Sequence, residues 1–163
     1  PLFWKNMGQT TALIGLVLAI SNLAQLFFFP LSGKISCRSD LMAFRSARFG
    51  FLLTTIPFLI APFSYRGALI FLPQCILSIS WAFFYIGATL ALRSFTPLQR
   101  QGEALGWVET SLNFGGIVGP NLFAFSLSSF NNNFPPAFLS LSFLPLIAFF
   151  IFRRNEERFI SRN

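Results

Sequence analysis

The chain has 163 residues, of which 54% are hydrophobic and 10% charged, and its formal charge is +7. A water-soluble domain carries roughly 25% charged residues, so a soluble globular enzyme is excluded by surface chemistry alone. There is no histidine, and the two cysteines, Cys37 and Cys75, lie far apart. A zinc site, a histidine-based triad and a haem attachment motif are therefore not expected, and no metal or cofactor is.

Crossing a bilayer as a helix takes about 20 mostly apolar residues. Five runs of that kind follow one another, at roughly residues 10–31, 44–63, 68–92, 105–127 and 137–152. They predict an all-α fold, a polytopic membrane helix bundle of five transmembrane helices. Lipid offers the backbone no hydrogen-bond partners, and the strand alternation of a barrel is missing. Pro30 and Gly33 are expected to end the first span. The turn at 62–67 separates the second from the third, Thr96-Pro97 opens the loop before the fourth, and Asn131 to Pro136 separates the fourth from the fifth. Pro57, Pro73, Pro120 and Pro145 lie inside spans, where they are expected to bend them.

The basic residues set the orientation. Lys34, Arg38, Arg45 and Arg48 flank the first loop, and Arg93 and Arg100 the third. Arg153, Arg154, Arg158 and Arg162 lie in the tail, and only Lys5 and Arg66 fall on the opposite side. That asymmetry predicts a cytoplasmic C-terminus, by the excess of Lys and Arg on cytoplasmic segments. It also accounts for the positive charge without a nucleic-acid partner; the lipid bilayer is the expected partner.

Three spans carry polar stripes. Asn22 and Gln25 share one face of the first, with Phe29 following. Gln74, Ser78, Trp81, Tyr85 and Thr89 form one helical stripe on the third, and Glu109, Asn113, Gly116 and Pro120 another on the fourth. Such groups in lipid normally face a bundle interior or a water-filled path. The first, third and fourth spans are therefore expected to line a shared polar cavity. The alternative is that these amides join neighbouring helices. The second and fifth spans hold only Thr54, Thr55, Ser140 and Ser142 mid-span, and are expected to face lipid or pack outside.

Glu109 is the only acid inside a span, about one turn into the fourth. It reads either as a proton- or substrate-responsive carboxylate or as an interfacial group paired with Arg93 or Arg100. The run from Gly115 to Pro120 is not a phosphate loop, because no Lys and Ser/Thr follow it. Gly115 and Gly119 instead admit a close helix, and Pro120 supplies a bend.

The stretch from Arg100 to Gly106, continuing through Ser111, Asn113 and Gly115 to Pro120, resembles the eleventh helix of the major facilitator superfamily. It is most similar to the drug:proton antiporter branch that includes the tetracycline-resistance exporters. Gly33 followed by Arg38 resembles a decayed copy of that superfamily's cytoplasmic loop motif, with Cys37 at its Asp and Asp40 at its second Gly. The resemblance implies that the five spans are helices eight to twelve. The chain would then be a C-terminal fragment, its partner the missing N-terminal half, and residues 1–9 an outer loop. Pro1, in place of Met, agrees with that expectation.

The implied activity is proton-coupled export of drugs or small organic molecules by alternating access. Asn22, Gln25, Gln74, Trp81, Tyr85 and Asn113 would meet the small-molecule substrate, with Trp81 and Tyr85 stacking on a flat or cationic ligand. Glu109 would couple protons, and Gly115, Gly119 and Pro120 would form the hinge. A uniporter or importer of a sugar or organic anion, or a non-transporting membrane subunit, is the alternative. A membrane-embedded enzyme lacks the catalytic cluster it would need.

Overall fold

The structure, a computed structural model, describes residues 10–63 and 71–160. Helix α1 spans Thr11–Ser36 and α2 spans Asp40–Ile60, closed by a 3-10 turn at Ala61–Phe63. Helix α3 spans Phe71–Phe95; a second 3-10 turn, Leu98–Arg100, leads into α4, Gln101–Ser129. The last rod is broken into α5, Phe134–Leu141, and α6, Phe143–Ile160. No strand occurs among the described residues.

Four segments are long and apolar enough to cross a membrane: Thr11–Ser36, Asp40–Phe63, Phe71–Phe95 and Phe134–Arg154. Helix α4, the fourth expected span, has ample length at 29 residues. Its Glu, Asn and Gly content leaves it less apolar than the others.

Several expected boundaries move. Pro30 and Gly33 do not end the first helix, which continues to Ser36. Membrane helices tolerate an interior proline because neighbouring groups re-satisfy the freed carbonyl. The helix stops where the Cys37 N–H bonds the Gly33 carbonyl at 2.9 Å and Ser39 caps the next helix. The Ser39 hydroxyl accepts from the Met42 N–H at 3.2 Å, and Asp40 sits favourably in that first turn. Helix α2 thus begins four residues before the expected position, and Arg45 and Arg48 lie within it rather than in the loop. The asparagine run does form a turn. Asn131 and Asn132 take φ of 54° and 61°, a left-handed conformation that asparagine tolerates. The last break falls at Ser142, because Pro145 has no N–H to return to the Leu141 carbonyl. Lys5, Arg66 and Arg162 lie outside the described residues.

The tightest contact joins α2 to α3, through small residues. Ala43, Ala47 and Gly50 of α2 are buried against Phe83, Gly87 and Ala91 of α3. Lipid removes the hydrophobic drive between helices, so close backbone approach and polar bonds must hold them. Both are present. A methyl added to Gly50 would stand 2.6 Å from the Phe84 Cβ, and one on Gly87 would stand 2.7 Å from the Ala43 carbonyl oxygen. The Ser80 hydroxyl donates to the Gly50 carbonyl at 2.7 Å and also meets the Thr54 hydroxyl. Phe49 packs edge-on against Phe83, and Phe51 against Phe84, on either side of this seam.

The other helices attach to that pair. Helix α1 reaches α3 through the Ser32 hydroxyl, which donates to the Ala82 carbonyl at 3.0 Å. Helix α6 docks on α2: Phe152 packs on Phe51, and the buried Glu156 carboxylate takes bonds from both Arg45 and Arg48. Arg48 also lies over the Phe149 ring at 5.6 Å. The second span exposes an apolar face of Phe49, Leu52, Ile56 and Leu59 and packs closely along its other side. It is the most buried of the four, clamped between α3 and α6. Its hydroxyls do bond back as expected, Thr54 to Gly50 and Thr55 to Phe51, but Thr54 reaches a neighbour as well.

Candidate substrate site

Helix α4 begins at Gln101, so Glu109 stands eight residues into it, about 12 Å along the axis. That is two turns rather than one. Its expected arginine partners do not meet it: among the described residues no ion pair involves Glu109. Instead the Tyr85 hydroxyl of α3 donates to Glu109 Oε1 at 2.7 Å.

Tyr85 ties three helices together. Phe29 of α1 meets its ring edge-on, with centroids 6.2 Å apart. Trp81, one turn earlier on α3, stacks against it at 5.9 Å with planes only 23° apart. Helical spacing of four places Trp81 and Tyr85 on one face, which is why the two rings align. Trp81 keeps 38% of its surface exposed, and Tyr85 is half-buried. The result is a two-ring wall on α3, edged by Phe29 and ending at a carboxylate from α4.

The remaining site residues are placed less tightly. Asn22 and Asn113 are exposed, and Gln25 and Gln74 half-buried. None of these four side chains makes a hydrogen bond among the described residues. Ser78 returns its hydroxyl to the Gln74 carbonyl at 3.0 Å, and Thr89 buries its Oγ1 without a partner among the described residues. Among the described residues the amides thus do not join neighbouring helices. Gly115, Gly116 and Gly119 face open space, with nothing within 4 Å of an added methyl. Pro120 lies within an unbroken α4.

The loop residues enclose a second feature. A cavity of about 330 Å³ is lined by Ser36, Cys37, Ser39, Asp40, Ala43, Leu90, Arg93 and Ser94. It brings the end of α1, the start of α2 and the end of α3 to the same end of the bundle. The Arg45 and Arg48 bonds to Glu156 bring the end of α6 there too. Arg38 is exposed and pairs with no acid among the described residues, and Gly33 has free space around it. Glu156 is the functional residue that sequence reasoning missed. It reads as one more charge in a polar tail, and only its spacing behind Phe152, one turn away on the same face, hinted at burial.

Apolar spanning helices, small-residue seams and polar groups directed between helices define a multi-pass integral membrane protein. The chain matches the family model of the Major Facilitator Superfamily over residues 1–163, and it belongs to that family of membrane transporters. No match was found among curated proteins or among solved structures.

Proposed function

We propose that this chain supplies helices eight to twelve of a proton-coupled exporter of drugs or small organic molecules. The convergence of Phe29, Tyr85 and Glu109 from three helices is the observation that carries the reading. These are the three segments whose polar stripes single them out in the sequence. In this reading Asn22, Gln25, Gln74, Trp81, Tyr85 and Asn113 meet the substrate, and their unused amide groups are available to it. Glu109 gains and loses the transported proton. Tyr85 is the only titratable group that contacts it among the described residues. The open glycine face of α4, with Pro120 interrupting its hydrogen-bond ladder, permits that helix to move against the missing N-terminal half. Gly33 in the last turn of α1 and the uncommitted Arg38 in the loop after it then belong to the end of the bundle that meets that half.

Transport in inverted vesicles carrying the full-length protein tests the reading. An imposed pH gradient should drive substrate accumulation, and a protonophore should collapse it. Glu109→Gln should lose gradient-driven accumulation while retaining substrate exchange. Accumulation that ignores pH would point to a uniporter or importer instead. An antibody to the tail should detect a native band on the order of 40–50 kDa, the size of about twelve helices. A band of 18.3 kDa would mean that the five helices stand alone.

The same reading places the C-terminus in the cytoplasm, because the basic ends of four helices gather at one end of the bundle. Cys37 is exposed there. On a Cys75→Ser background, a membrane-impermeant maleimide should label Cys37 in inverted vesicles and not in intact cells. Labelling in intact cells alone would reverse the orientation.

A further inference from the structure

Cys37 closes α1, and its thiol is free and exposed. Exposure alone gives a cysteine no function. Cys37, however, lines the cavity of about 330 Å³ where α1, α2 and α3 come together. That size falls at the lower end of the roughly 300–1,000 Å³ usual for small-molecule sites.

The walls combine both signs of charge with hydroxyls. Asp40 enters from the first turn of α2, and Arg93 from the last turn of α3. The two share one cavity and form no ion pair with each other. Ser36 is 1% exposed, and its hydroxyl takes no bond among the described residues. A buried hydroxyl in that state can both donate to and accept from what enters. Ser94 donates to the Ala91 carbonyl at 2.8 Å and retains its acceptor lone pairs.

These groups define the ligand. Arg93 calls for a carboxylate, Asp40 for an ammonium group, and the serines for further polar atoms. Cys37 calls for a sulfur that a thiolate can attack. Glutathione disulfide carries all of them, and its net negative charge suits an end of the bundle where Lys34 and Arg38 are also exposed. Electropositive, accessible surroundings are those in which cysteines react. A fatty acyl chain on Cys37 would find only Ala43 and Leu90 as apolar side chains in the cavity.

We propose that Cys37 is a site of reversible S-glutathionylation, with Arg93 and Asp40 as its recognition pair and Ser36 bonding the bound tripeptide. The Cys37 thiolate attacks one sulfur of glutathione disulfide. A new S–S bond forms, the old one breaks, and the other glutathione leaves as a thiolate. A free thiol reverses the step by the same exchange, so the mark follows the ratio of oxidised to reduced glutathione.

The test uses the full-length protein in detergent with Cys37 as its only cysteine. Adducts from glutathione disulfide and from bis(2-hydroxyethyl) disulfide, a neutral reagent, are followed by intact-protein mass spectrometry. S-methylglutathione keeps the charges and has no disulfide, so it should slow the neutral reagent saturably. Arg93→Gln should slow glutathionylation roughly threefold to tenfold, the range from an exposed ion pair to a charge-assisted hydrogen bond, and leave the neutral reagent unaffected. Arg100→Gln removes the same charge from an exposed position outside the cavity and should change neither rate. Asp40→Asn makes this end more positive yet should slow glutathionylation, because the ammonium group loses its partner. Absence of protection by S-methylglutathione, equal slowing by Arg93→Gln and Arg100→Gln, or faster glutathionylation of Asp40→Asn would each overturn the site. The protection assay needs no variant, so a poorly folding mutant leaves it decisive. Transport plays no part in these measurements, and their outcome is independent of the transporter reading.

Discussion

Gly87→Leu is expected to prevent a stable fold, because the α2–α3 seam has no space for a side chain. The groups around Gly87 are mainly backbone, including the Ala43 carbonyl oxygen at 2.7 Å from an added methyl. A flexible side chain could swing aside, but a helix backbone yields only by moving the whole helix. That movement would also strain the Ser80 bonds to Gly50 and Thr54. Overpacking typically costs about 1–3 kcal/mol, and a backbone clash belongs at or beyond the upper end. Gly50→Leu should act similarly, since it meets the Phe84 backbone and Cβ. Gly15→Leu is the comparison: it lies inside α1 with open surroundings and should be tolerated. Thermal unfolding of the purified proteins in detergent checks all three. A Gly87→Leu protein as stable as the parent would mean that the seam is not packed this closely.

The second large effect is expected at Glu156. Its side chain is 5% exposed and accepts from Arg45 at 3.1 Å and from Arg48. Removing the acid leaves two guanidinium groups facing each other with no counter-charge. Breaking a fully buried pair costs about 3–5 kcal/mol. Arg45 is 47% exposed and Arg48 28%, so water recovers part of that loss. A cost of about 2–3 kcal/mol is expected for Glu156→Ala. Glu157→Ala, one residue on, should cost little. Its bond to Arg153 joins two exposed groups on one helix turn, a class worth at most a few tenths of a kcal/mol. The contrast between adjacent glutamates is the informative measurement. Equal melting temperatures for the two variants would show that Glu156 does not hold α6 to α2.

Both effects concern contacts that no linear pattern exhibits. The small residues Ala43, Ala47 and Gly50 lie in a span that reads as uniformly apolar, and their spacing marks a helix face without saying what covers it. Arg45 and Arg48 count toward the cytoplasmic charge excess, which is correct bookkeeping for topology and silent on pairing. The polar stripes were more informative. Phe29, Tyr85 and Glu109 were each assigned a face by the 3.6-residue period, and those faces meet. The partner of Glu109 was not legible, since pairing depends on the crossing of α3 and α4 and on where α4 begins.

What belongs to the sequence here is what depends on short range and on solvent. Apolar length dictates helices in a membrane, because the backbone must satisfy itself within each segment. Charge asymmetry points to an orientation, and the motif from Arg100 to Pro120 points to the family that the whole-chain match shows. What belongs to the tertiary structure is which face meets which. Lipid is as apolar as the side chains it replaces, so hydrophobicity cannot choose a helix's neighbours. That choice falls to the fit of Gly50 and Gly87 into the opposite backbone, to hydroxyls such as Ser32 and Ser80, and to the few charges with a partner within reach. The central position of α2, the clamp on α6 and the tyrosine facing Glu109 all follow from that geometry.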